Sequence, residues 1–136
     1  MTVFAAIAIF IGAGSGALLR WLLGSLFNPL FPTLPLGTLA ANLLGGFLIG
    51  VILAWSARHP GLPPEIRLFL ITGFLGGLTT FSTFSAEVVN LLSRREWLWG
   101  IIAINAHLIG SLTLTAAGLG IAHWLMLRGG LNTPIH

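Results

Sequence analysis

GFLGGLTTFSTFSAE, residues 73–87, is the stretch on which the reading of this chain turns. It lies inside a long apolar run, where no water is at hand and every polar group needs a partner. Yet it holds Gly73, Gly76 and Gly77, the hydroxyls of Thr79, Thr80, Ser82, Thr83 and Ser85, and the carboxylate of Glu87, with Thr72 just before it. Gly76-Gly77 followed by Thr79-Thr80 makes a poor continuous helix, because glycine is costly there and threonine is stiff at χ1. The stretch predicts a helix that breaks near 76–80 and restarts. Broken helices at membrane depth are tolerated where they are buried in protein or line a polar cavity. From these residues alone, a Ser/Thr-rich packing face and a binding or permeation site both remain open.

Composition sets the surroundings. The 136 residues are 56% hydrophobic and 7% charged, with a mean hydropathy of +0.99. Such a chain is too apolar for a soluble domain and predicts an all-α membrane protein. The charges are six arginines and three glutamates, with no lysine or aspartate. No basic cluster suggests nucleic acid as a partner. Cysteine is absent, which excludes disulfides and thiolate metal sites. The N-terminus lacks a positive region and a convincing cleavage site, so it reads as a retained first span.

A helix needs about 20 apolar residues to cross a bilayer. Residues 3–26, 36–57, 66–92 and 97–127 supply four such spans, the third carrying the break. Together they predict a single membrane domain over 1–128 and a flexible tail over 129–136. The links are short: FNPLFPTLP (27–35), RHPGLPPE (58–65) and SRRE (93–96). Trp21, Trp55, Trp97, Trp99 and Trp124 all fall near span ends, as an aromatic belt would place them. With four spans, Arg58, Arg67 and Arg128 share one side of the membrane. Arg20, snorkelling toward the end of its span, joins Arg94 and Arg95 on the other. Three against three gives the positive-inside rule no preferred orientation. Copies inserted both ways can pair head to tail, which points to an antiparallel, dual-topology homodimer.

Each span also carries a seam at helical spacing. Gly12, Gly16 and Arg20 form one on the first span, Thr38, Asn42, Gly46 and Gly50 one on the second, and His107, Ser111 and Thr115 one on the fourth. Small residues let backbones approach closely. The Asn42 amide must be satisfied by a neighbouring helix or by something passing through, and His107 carries the same ambiguity. Nothing here has metal-ligand spacing for histidines and carboxylates. On the third span, Phe81 and Phe84 share a face at i, i+3, while Thr80, Thr83 and Glu87 follow an adjacent one. The phenylalanines can be core. Interleaved with hydroxyls, their positive ring edges and the Asn42 amide can instead make a narrow path for a small, strongly hydrogen-bonding anion. Carbonyls freed at the break would attract a cation.

PLGTLAANLLGGFLIG (35–50), GFLGGLTTFSTFSAE (73–87) and GAGSGALLR (12–20) together resemble the Fluc/CrcB fluoride channel family, across all four spans in order. The resemblance implies a channel in the bacterial plasma membrane that lets cells expel fluoride passively, built as an antiparallel homodimer with two pores. It implies that Asn42 lines the pore, that Phe81 and Phe84 contact fluoride through their ring edges, and that Ser82, Thr83, Ser111 and Thr115 form a polar track. Gly76 and Thr79 would offer backbone carbonyls to a structural sodium ion at the dimer axis. Arg20 matches the family arginine and Glu87 its glutamate.

Other classes fit less well. A proton-coupled exporter would want a carboxylate deep in a span, and Glu87, late in the third span, is the only candidate. No nucleophile–base pair suggests an enzyme. A purely structural subunit would explain the glycine seams but not the grouping of Asn42, hydroxyls and phenylalanines.

Overall fold

The computed structural model describes residues 2–131. Four helical spans follow one another: α1 (Val3–Phe27), α2 (Leu36–Arg58), a third span over Pro64–Ser93, and a last helix over Trp97–Leu131. All four are long and apolar enough to cross a membrane. A short 3-10 turn (Asn28–Leu30) ends the first span. There the Gly37 amide donates to Asn28 Oδ1 at 2.7 Å, tying the entrance of α2 to the exit of α1. The last helix runs through Leu131, beyond the 129 boundary anticipated for a tail, and 132–136 lie outside the described residues.

The third span is built in pieces: α3 (Pro64–Arg67), a π-helical turn (Leu68–Leu75), α4 (Gly76–Leu78) and α5 (Phe81–Ser93). Proline and a glutamate open α3, where a missing N–H costs nothing and negative charge is favoured. Gly76 keeps helical angles (φ −62°, ψ −36°), whereas Thr79 (φ −82°, ψ 153°) and Thr80 (φ −150°, ψ 114°) are extended. The chain thus leaves helical geometry at the β-branched pair and not at the glycines. Gly77 serves a different end: a Cβ there would overlap the Ala13 carbonyl of α1, and one on Gly16 would overlap the Phe74 carbonyl. These glycines permit backbone contact between the first and third spans.

The last helix, α6 (Trp97–Leu131), follows a tight turn. Arg95 adopts φ 63°, with its N–H donating to Leu92 O at 3.0 Å and the Glu96 N–H to Leu91 O at 2.9 Å. This is a Schellman cap with arginine in the left-handed position usually given to glycine. α6 packs most extensively on α2. Their two stripes meet in rising register, so the helices run parallel: Asn42 faces His107, Gly46 faces Ser111, and Gly50 faces Thr115. Thr115 Oγ1 seals the seam by donating to Gly46 O and Ser111 O, each at 2.9 Å. Ala41, Leu75 and the fully buried Leu78 form one apolar cluster, and Leu34, Val88, Leu91 and Ala103 form another. At one end, Arg58 Nη1 donates to Met126 O at 3.2 Å, and the Arg128 guanidinium lies 3.9 Å from the Trp124 ring centre.

Candidate functional site

Thr80 is the centre of the polar site. An extended residue between two helical pieces has an N–H and a C=O that no helix serves, and both must be satisfied at this depth. A primary amide offers one acceptor and two donors on a single side chain. Asn42 supplies them: the Thr80 N–H donates to Asn42 Oδ1 at 2.7 Å, and Asn42 Nδ2 donates to Thr80 O at 3.0 Å. Its second amide proton points to His107 Nδ1, 3.0 Å away. The Thr80 hydroxyl caps α5, accepting from the Thr83 N–H at 3.1 Å and donating to Thr83 Oγ1 at 3.0 Å. Ser82 Oγ lies 3.3 Å from the same hydroxyl.

This capping has a consequence one turn earlier. In a continuous helix, the amides of Thr80 and Thr83 would serve the carbonyls of Gly76 and Thr79. Both amides donate elsewhere, to Asn42 Oδ1 and Thr80 Oγ1. Thr79 Oγ1 turns back to Leu75 O at 2.9 Å.

Around this centre lies a cavity of about 510 Å³, with Asn42, Thr80, Phe81, Phe84, His107 and Ser111 on its walls and Gly76 and Thr79 at its side. The Phe81 and Phe84 rings are 5.6 Å apart at 59°, and Phe84 lies 4.5 Å from the His107 ring at 33°. The two phenylalanines differ in setting. Phe84 is partly buried against the Leu34–Ala103 cluster, whereas Phe81 is 79% exposed. Among the described residues, no arginine lines this cavity. A second cavity, about 520 Å³, has Arg20, Trp21, Asn28, Thr38 and Thr83 on its walls, and Thr80 lines both. Thr38 Oγ1 donates to Glu87 Oε1 at 2.6 Å. Among the described residues, Arg20 and Glu87 form no ion pair with each other.

The fold therefore gathers Asn42, Phe81, Phe84, His107 and Ser111, with Gly76 and Thr79, on one cavity. It sets Arg20 and Thr83 on the other. Ser82 lines neither, Thr115 is turned to the backbone of α2, and Glu87 is held by Thr38. Thr38 and Thr80 lie outside the set of site residues that the family resemblance implies. Signals for both existed: Thr38 heads the i+4 stripe of α2, and Thr80-x-x-Thr83 has the spacing of a helix cap.

Four apolar spans enclosing hydrogen-bond donors and aromatic rings at an interrupted helix define a polytopic membrane protein with a polar site inside the bilayer. Residues 7–119 match the family model described as CrcB-like protein, Camphor Resistance (CrcB). The chain belongs to that family. It is 60% identical over 118 residues to a protein of Thiobacillus denitrificans named fluoride-specific ion channel FluC, covering 87% of this chain and 94% of the relative. A Nitrosospira multiformis protein of the same name is 58% identical over 125 residues, covering 92% and 98%. One from Tolumonas auensis is 60% identical over 116 residues, covering 85% and 91%.

Proposed function

We propose that this protein is a fluoride-selective channel that lets the ion leave the cell passively and so limits its toxicity. The observation that carries this reading is the cavity where Phe81 and Phe84 stand beside the His107 imidazole and the Ser111 hydroxyl, with no arginine among the described residues on its walls. Fluoride accepts strong hydrogen bonds, and the ring edge of phenylalanine is its positive part. Donors without a fixed cation favour entry without trapping the ion, which conduction requires. Arg20, at the second cavity, would draw anions toward the path. Ser111 on this cavity and Thr83 on the second extend the polar lining in this reading, with Ser82 and Thr115 outside the walls of both.

The working unit in this proposal is an antiparallel pair of copies with two pores. Phe81 and Gly76 are exposed on the single chain, next to carbonyls that have lost their helical donors. Lipid cannot satisfy such groups, so this face calls for protein cover. The even arginine balance permits the partner to be an inverted copy. The carbonyls of Gly76 and Thr79 from two copies would then make four oxygens at a symmetry axis, a hard, uncharged donor set suited to Na⁺.

The deciding experiment is fluoride efflux from liposomes holding the purified protein, with chloride as control. Fluoride release without matching chloride release is expected. Release of both ions at similar rates, or of neither, would rule out a fluoride-selective channel.

A further inference from the structure

We propose that His107 is a positioning residue: its Nδ1 accepts the second amide proton of Asn42, which locks the imidazole in the neutral Nε2–H tautomer and holds the Asn42 clamp on Thr80. The inference rests on the channel reading for its functional part and on the hydrogen-bond pattern for the rest.

The direction of each bond follows from one fixed donor. The Thr80 N–H can only donate, so the Asn42 atom facing it at 2.7 Å is the acceptor, Oδ1. The other end of the amide is then Nδ2, which donates to Thr80 O at 3.0 Å. Nδ2 has one proton left, and it faces His107 Nδ1 at 3.0 Å. Two donors cannot share that contact, so Nδ1 carries a lone pair and the proton of the neutral ring sits on Nε2. His107 is 5% exposed and lines the cavity, with the Phe84 ring 4.5 Å from its own. Among the described residues, no protein group accepts from Nε2. The ring is thus held at one nitrogen by Asn42 and on one face by Phe84, leaving Nε2–H as the free donor.

Positioning follows from what the clamp holds. Asn42 fixes both backbone groups of Thr80, Thr80 caps α5, and Phe81 is the first residue of α5. With no acceptor at Nδ1, the amide loses its third anchor and can rotate away from the Thr80 peptide. One neutral hydrogen bond of this kind changes the population of an aligned state about tenfold.

The test separates the two ring nitrogens. In His107→Asn, the side-chain oxygen falls near the place of Nδ1, whereas His107→Gln reaches toward Nε2. Both variants lose the Nε2–H donor, so they are compared with each other: fluoride efflux is expected to be about tenfold lower for His107→Gln than for His107→Asn. The ¹⁵N spectrum of histidine-labelled protein, assigned by the signal missing in His107→Asn, should show Nδ1 unprotonated and Nε2 protonated at neutral pH. Full activity in His107→Gln with loss in His107→Asn would overturn the proposal. So would an Nδ1–H tautomer or an imidazolium at His107 in the spectrum. If the unmodified protein releases no fluoride, the channel reading fails separately. The spectrum would then still decide the bond to Asn42.

Discussion

Phe81 and Phe84 are adjacent in space yet subject to different forces, and replacing each with isoleucine separates them. Ile keeps most of the apolar bulk and removes the positive ring edge. Phe84 packs against the cluster of Leu34, Val88, Leu91 and Ala103, so Phe84→Ile should destabilise the fold by about 1 kcal/mol. Phe81 contributes little to that core, and Phe81→Ile should leave the subunit's stability unchanged. In both variants fluoride efflux should collapse while size-exclusion profiles stay normal. Unmodified flux from the assembled double variant would reduce both rings to packing. Asn42→Asp offers a complementary check at the same scale. It replaces the Nδ2 donor with an oxygen, setting acceptor against acceptor at both Thr80 O and His107 Nδ1. Efflux should be abolished, since the break is released and negative charge is placed beside the path. Asn42→Asp with normal flux would refute the clamp.

Among the helices, backbone proximity and backbone conformation make separate predictions. A Cβ on Gly77 would overlap the Ala13 carbonyl, a backbone atom that cannot rotate aside, whereas one on Gly14 meets nothing within 4 Å. Gly77→Ala should therefore cost about 1–3 kcal/mol by overpacking. Gly14→Ala should be neutral or gain up to about 1 kcal/mol from helix propensity. Unfolding in mixed detergent micelles would rank them, and equal effects would contradict the packing of α1 on the third span. Much of this level was legible in the sequence. Apolar length placed the four spans, and the i+4 stripes on the second and fourth marked the faces that meet. Parallel helices in register turn two such stripes into one seam, so pattern alone was enough. The partner of Asn42 was not legible, because it is a backbone group exposed only by the extended angles of Thr79 and Thr80. Gly76-Gly77 signalled disruption by propensity, but close packing on α1 accounts for Gly77. The π-helical turn at Leu68–Leu75 left no mark in an evenly apolar run. The division of Arg20 and Thr83 from the phenylalanines depends on which side of Thr80 each reaches, a tertiary fact.

For the molecule as a whole, the face bearing Phe81, Gly76 and Thr79 calls for a protein partner. If an inverted copy is that partner, four carbonyls converge, and replacing sodium with a large organic cation throughout purification and reconstitution should reduce fluoride flux. Flux indifferent to sodium at every stage would remove that ion from the proposal. Topology gives the sharper test. Arg58 and Arg128 sit at the end where α2 meets Met126 of α6, and Arg94 and Arg95 sit at the α5–α6 turn. With Arg67 on the first side and Arg20 on the second, neither end outweighs the other. A tag in the 93–96 turn should accordingly be labelled from both sides of the membrane. Added arginines at one end should fix the orientation, because each contributes to the bias that sets topology. A chain so fixed should lose flux when produced alone, for lack of an inverted partner, and regain it when a copy biased the other way is co-expressed. If the fixed chain conducts alone at the unmodified rate, the antiparallel pair is wrong and a parallel neighbour must cover the Phe81 face.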